Sequence, residues 1–173
     1  MTACTRVAIL GAESSGKSTL AAALAERHAS LWVPEYLREF VQSRQRVPVE
    51  EDQLFIASRQ VEQEDAAAQR TGAYLFCDTT PLMTAIYSRF YFHRIDDRLA
   101  ALAAARRYDI TVVTKPDTPW VADGLQRESE AVRQHIHQQV LAELKDRAIP
   151  YLLVEGSTEQ RMEQFDACLA SLA

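Results

Sequence analysis

Gly11-Ala12-Glu13-Ser14-Ser15-Gly16-Lys17-Ser18 is the stretch that decides the fold. It satisfies G-x-x-x-x-G-K-[ST] at every fixed position. The apolar run Arg6-Val7-Ala8-Ile9-Leu10 before it reads as a buried strand, and residues 19–27 after it read as a helix. A phosphate cradle needs that order of strand, glycine-bounded loop and helix. Glycines let the backbone wrap closely, several N–H groups then point inward, and the helix N-terminus adds positive dipole. In such a cradle Lys17 reaches the β- and γ-phosphates and the Ser18 hydroxyl sits on Mg²⁺. Residues 11–18, with Thr19 behind them, are the expected nucleotide-binding segment.

Composition narrows what surrounds this loop. The chain has 173 residues, 47% of them hydrophobic, enough for one domain with a full core, and it shows no repeats. Its net charge is −5, with 19 Lys and Arg against 24 Asp and Glu. No dense basic stripe is present, so electrostatic capture of nucleic acid is disfavoured. No run reaches membrane-spanning length, and the N-terminus does not read as a signal peptide. Three well-separated cysteines, Cys4, Cys77 and Cys168, indicate neither a disulfide framework nor a zinc site, and fit a reducing cytoplasm.

Beyond the first helix the pattern alternates. Leu31-Trp32-Val33-Pro34, residues 73–77, residues 109–114 and residues 150–154 read as strands. Helices are expected over 37–45, 49–70, 80–91, 97–107, 128–147 and 158–172, with Leu54, Phe55, Ala57 and Val61 as the apolar side of the third and Ser157 capping the last. Residues 115–127, with Pro116, Pro119 and Gly124, read as a lid loop. The expected architecture is a single α/β domain over 1–173, a three-layer α/β/α sandwich of about five parallel strands. Ligands gather at the carboxyl edge of such a sheet. Gly11, Glu35, Asp78, Lys115 and Glu155 stand at the expected strand ends.

Asp78 directly follows an apolar strand, where an acid beside a phosphate loop holds Mg²⁺ or its water shell; the alternative is a carboxylate capping the helix near Thr80. Glu35 ends the second strand and is a candidate to orient an acceptor hydroxyl and take its proton, or else a surface acid at a helix start. Arg38, one turn on, contacts phosphate or pairs with Glu35. Trp120 covers a ring or anchors the lid. Arg127 and Arg133 are the cations available for transition-state charge, each with a solvated helix face as its alternative. His135 and His137 read as surface residues, and Tyr87, Phe90, Tyr91 and Phe92 as core and rim. Gly156-Ser157 is a plausible neighbour of an adenine ring.

These residues spell a resemblance. Glu13 inside the loop, Glu35-Tyr36-x-Arg38-Glu39-Phe40-Val41, Asp78-Thr79 and Thr118-Pro119-Trp120-Val121-x-Asp123-Gly124-Leu125 together resemble the ribosylnicotinamide kinase domain of the bacterial NadR proteins, over about residues 5–170. The resemblance implies a fold like that of nucleoside and nucleotide kinases, and transfer of the ATP γ-phosphate to the ribose 5′-hydroxyl of nicotinamide riboside. It implies that Lys17 and Ser18 contact phosphate and Mg²⁺ and that Glu35 and Asp78 lie near acceptor and metal. Tyr36, Arg38, Trp120, Asp123 and Arg133 are then candidate substrate contacts, and Arg127 the candidate lid arginine. The larger NadR proteins also carry an adenylyltransferase domain, which a chain of this length is not expected to contain. Residues 58–65, Ser-Arg-Gln-Val-Glu-Gln-Glu-Asp, lack the aromatics expected there. That keeps open a second reading, a kinase for another small hydroxyl substrate. A regulatory nucleotide-binding ATPase is a third, although no N-K-x-D guanine element is present.

Overall fold

β1, Thr5–Leu10, runs through the middle of a five-stranded parallel sheet of order β2-β3-β1-β4-β5. The other strands are β2 (Leu31–Val33), β3 (Tyr74–Asp78), β4 (Ile110–Thr114) and β5 (Leu152–Val154). The structure, a computed structural model, describes residues 4–122 and 129–172. All five strands lie where the apolar runs predict them.

Alternation of side chains along β1 explains the three layers. Val7 and Ile9 point to one face, where they pack with Phe76, Val112 and Val154 against α1 (Lys17–Arg27) and α7 (Thr158–Leu172) through Leu20, Leu24 and Phe165. Ala8 and Leu10 point to the other, against Met83 and Ile86 of α4 (Pro81–Phe92) and Ile136, Val140 and Leu144 of α6 (Glu130–Asp146). Two-sided burial is why these strands read as continuous apolar runs rather than alternating ones. The remaining helices are α2 (Tyr36–Arg44), α3 (Gln53–Ala68) and α5 (Asp97–Ala105).

Two local readings differ from the structure. The long segment expected to be helical over 49–70 begins with a 3-10 turn, Glu50–Asp52, before α3. Its buried stripe is Gln53, Ile56, Ala57, Gln60, Glu64 and Ala67, while Phe55 is exposed. Of the expected apolar side, Ala57 is buried and Leu54 packs beside it, but Phe55 is not, and Gln53, Gln60 and Glu64 share the buried side. His137, read as a surface residue, is buried on α6; His135 two positions away is exposed, as their opposite helical directions require.

α7 starts with a reciprocal cap. The Gln160 N–H donates to Ser157 Oγ (3.2 Å), and the Ser157 N–H donates to Gln160 Oε1 (2.9 Å). This fixes the β5–α7 turn, where Gly156 has φ +86°.

Candidate active site

Because every strand is parallel, the turns after β1, β2, β3, β4 and β5 all open on one edge. The phosphate loop leaves β1 at Leu10 and enters α1 at Lys17. Gly11 is required by its neighbours: at φ +153°, a Cβ there would lie 2.2 Å from Thr114 Oγ1 and 2.8 Å from Ser15 Oγ. The Ser15 hydroxyl is turned into the protein. It donates to the Ala12 carbonyl (2.6 Å) and sits 2.7 Å from Thr114 Oγ1. Ser15 therefore offers a ligand its backbone N–H and keeps its side chain as an internal strut. Ser14 has φ 56°, a left-handed conformation that turns successive peptide groups around the cradle.

Two buried arginines hold this loop from behind. Arg133 on α6 donates to the Ser14 carbonyl (3.0 Å) and pairs with Glu130 (2.6 Å). Arg161 on α7 donates to the Ser15 carbonyl, to Lys115 O (3.0 Å) and to Asp117 Oδ1 (2.6 Å). Asp117 also accepts the Gly156 N–H at 2.7 Å. Burial raises the Asp117 proton affinity, but the Gly156 N–H and Arg161 outweigh it and hold the carboxyl below its ordinary range. The consecutive carbonyls of Ser14 and Ser15 are thus anchored away from the cradle. The guanidinium of Arg161 would also lie 2.9 Å from a Cβ on Gly16, whose φ is +85°. Neither Arg161 nor Asp117 stands out in the sequence as a loop element.

Lys17 Nζ lies within the loop, donating to Ala12 O at 2.9 Å. Ser18 Oγ donates to Asp78 Oδ2 at 2.5 Å. The register Ile9↔Asp78 brings the two together, setting the end of β3 beside the start of the loop. Asp78 is fully buried, and its second oxygen, Oδ1, has no partner. It caps no helix, since α4 begins at Pro81 with Thr80 in the N-cap position and without a side-chain cap. Between them Thr79 adopts φ 73°, a costly conformation for a β-branched residue and one concentrated at functional sites. A buried carboxylate oxygen without a partner next to a hydroxyl suits a hard cation that keeps most of its water. Among the described residues no cluster of three or more His, Cys, Asp or Glu is assembled. The donor set thus fits Mg²⁺ held jointly by protein and phosphate, not an all-protein cage.

The loop after β4 docks on the phosphate loop. Thr118 Oγ1 donates to the Ser14 carbonyl (3.0 Å), and the Val121 N–H donates to Ser14 Oγ (3.2 Å). Trp120 is half-buried, its indole Nε1 without a partner. The lid candidates Asp123 and Arg127 lie outside the described residues. On the opposite wall, the Tyr87 hydroxyl accepts the Glu13 N–H at 3.2 Å, and Tyr91 stacks on Tyr87. This brings α4 to the phosphate loop, a role the sequence pattern does not reveal.

Glu35 ends the β2 turn as the N-cap residue of α2. Its carboxylate is 3.8 Å from exposed Arg38. Tyr36 is buried in a cluster with Phe40 and Ile56; its ring meets Phe55 edge-on and carries Arg59 over its face. A cavity of about 540 Å³ opens beside Gly156, lined by Asp117, Glu155 and Gln160. No helix among the described residues is long and apolar enough to cross a membrane.

Known proteins share both sequence and architecture with this chain. The trifunctional NAD biosynthesis/regulator proteins NadR of Salmonella typhimurium and Escherichia coli are each 33% identical to it over 154 residues, covering 86% of this chain. The chain spans only 38% of the length of those relatives. A crystal structure of a NadR protein in complex with NR superposes with TM-score 0.84 at 19% identity, over 95% of this chain and 51% of that one. Deoxyadenosine kinase from M. mycoides with bound dATP has the same fold at TM-score 0.66 and 14% identity, over 96% and 99% of the two chains. The phosphate loop, its Asp78 partner and the sheet order all fall within residues 6–161, which match the family model described as AAA domain, and the chain belongs to that family.

Proposed function

We propose that the protein is an ATP-dependent kinase that transfers the γ-phosphate to the ribose 5′-hydroxyl of nicotinamide riboside, giving nicotinamide mononucleotide in the cytoplasm. The observation that carries this reading is the pairing of Ser18 with buried Asp78 at the phosphate loop, in a chain similar to NadR over 86% of its length.

Each residue then has a task in positioning and charge stabilisation, which is most of what phosphoryl transfer asks of a protein. The loop N–H groups and Lys17 bind the phosphates. Ser18 and Asp78 would hold Mg²⁺, which when bound neutralises charge developing on the transferred group. Glu35 orients the acceptor hydroxyl and takes its proton. Trp120 and the lid residues after it exclude water, with Arg127 supplying positive charge. The carboxylate oxygens of Asp117, in Thr114-Lys115-Pro116-Asp117, are engaged by Gly156 and Arg161. That favours an adenine nucleotide over a guanine one, whose ring N–H groups call for a free acceptor. The cavity beside Gly156 is the natural place for the base.

A second reading, a kinase for another nucleoside, draws on α3, where residues 58–65 supply no aromatic ring. One assay decides. The protein is mixed with Mg-ATP and a panel of nucleosides, and ADP is followed. Acceleration by nicotinamide riboside is expected. Acceleration by a different nucleoside alone transfers the proposal to that substrate, and slow ADP release that no nucleoside alters replaces the kinase with an ATPase.

A further inference from the structure

α3 carries buried groups that phosphate binding does not use. Glu64 is fully buried. Arg106 grips it through Nε (3.2 Å) and Nη2 (2.9 Å), and the Tyr108 hydroxyl donates to it at 2.9 Å. Burial pushes the Glu64 carboxyl up, against the pull of Arg106 and Tyr108. One turn earlier lies Gln60, also buried. Its Oε1 accepts the N–H of Tyr36 at 2.8 Å. Its Nε2 is buried without a hydrogen-bond partner.

Chemistry dictates which way this amide points. The Tyr36 N–H can only donate, so Gln60 presents its oxygen to it. Tyr36 is the first residue of α2, and the residue before it is Glu35. Helix α2 makes no side-chain cap of its own at Glu35, so its leading N–H is satisfied from α3 instead. We infer that Gln60 is a positioning residue for Glu35: by accepting the Tyr36 N–H it fixes the turn that carries the carboxylate facing the acceptor hydroxyl. The inference rests on the proposed role of Glu35. It also accounts for a buried amide on α3 that packing alone would replace with an apolar side chain.

The test compares steady-state ADP formation, with the accelerating nucleoside, for wild type, Gln60→Met, Glu35→Gln and the double variant. Methionine matches glutamine closely in volume and offers Tyr36 no oxygen. Gln60→Met is expected to lower kcat ~10-fold or more while leaving KM for ATP within about 2-fold, since small misplacements of a reacting group cost rate rather than binding. The double variant is expected to be no slower than Glu35→Gln alone, because a residue acting through Glu35 adds nothing once Glu35 is disabled. Wild-type kcat in Gln60→Met, or multiplicative slowing in the double variant, overturns the inference while Glu35 keeps its role. Wild-type kcat in Glu35→Gln overturns the role of Glu35, and the inference with it. Should Gln60→Met fail to fold, Gln60→Asn tests the same contact: one methylene shorter, it withdraws the oxygen from the Tyr36 N–H, and kcat is expected to fall several-fold at unchanged KM for ATP, whereas an unchanged kcat overturns the inference.

Discussion

The Arg161 guanidinium and the Ser15 carbonyl are 146 positions apart in sequence and joined by a buried hydrogen bond behind the phosphate loop. Arg161 also holds Lys115 O and Asp117, so removing it strands three acceptors, one of them charged. Arg161→Ala is expected to cost about 3–5 kcal/mol, a fall of roughly 10 °C in Tm for a domain of this size, and to weaken ATP binding because Ser15 is no longer held. Gly16→Ala is expected to cost about 1–3 kcal/mol through its positive φ and its approach to the same guanidinium. Since one partner in that approach is Arg161, the two changes combined should cost less than their sum. Thermal melts of both single variants and the double variant check this; strict additivity would separate Gly16 from Arg161.

Ser18 and Asp78 share a 2.5 Å hydrogen bond with one carboxylate oxygen left over. Asp78→Asn keeps the shape and removes the charge. Turnover is expected to fall ~100-fold or more, partly recovered by raising Mg²⁺. The fold should not suffer, because an unpaired buried charge has been removed. Kinetics across a Mg²⁺ titration measure both effects, and an unaltered Mg²⁺ dependence would take Asp78 out of metal binding.

His137 is buried with its Nδ1 unpartnered. Burial first, and the positive charge of Lys115 second, hold its pKa below the ordinary 6.5. The unfolded chain therefore takes up the proton more readily. Stability from this group is fully present above about pH 6.5 and is lost as pH falls below that value toward the lowered folded pKa. Urea melts from pH 7.5 to 5 are expected to show this loss in the wild type and a shallower slope in His137→Gln. Parallel slopes would clear His137 of the effect.

What the sequence makes legible follows from the range of the interactions involved. The five strands and the phosphate loop announce themselves because two-sided burial demands continuous apolar runs and the loop demands glycines at set positions. Asp78 is legible for the same reason, as the first charge after such a run. Gln60, Glu64, His137 and Arg161 are not. Each is polar and each is buried, so hydropathy assigns them to solvent. On α3 this leaves Phe55 exposed and Glu64 buried. The docking of Val121 on Ser14 and the approach of Tyr87 to Glu13 are likewise contacts between distant segments. The candidate site is therefore readable where backbone chemistry fixes it, and opaque where long-range polar contacts build its support.

Arg106 tests how much that hidden support contributes. It is the cation for Glu64 and for Asp65, and its ring neighbour Tyr108 donates to the same carboxylate. Arg106→Met leaves Glu64 fully buried without its counter-ion, a loss expected to cost about 3–5 kcal/mol. Adding Glu64→Gln removes the orphaned charge, so the double variant should regain much of that loss rather than fall further. Because Glu64 binds its proton more tightly in the folded state, the Arg106→Met deficit should also shrink as pH is lowered and the carboxyl neutralises. Denaturant melts of the two single variants and the double variant at pH 7.5 and 5.5 report both effects. A double variant no more stable than Arg106→Met, with a deficit independent of pH, would mean that Arg106 acts through packing of its stem and not through the charge on Glu64.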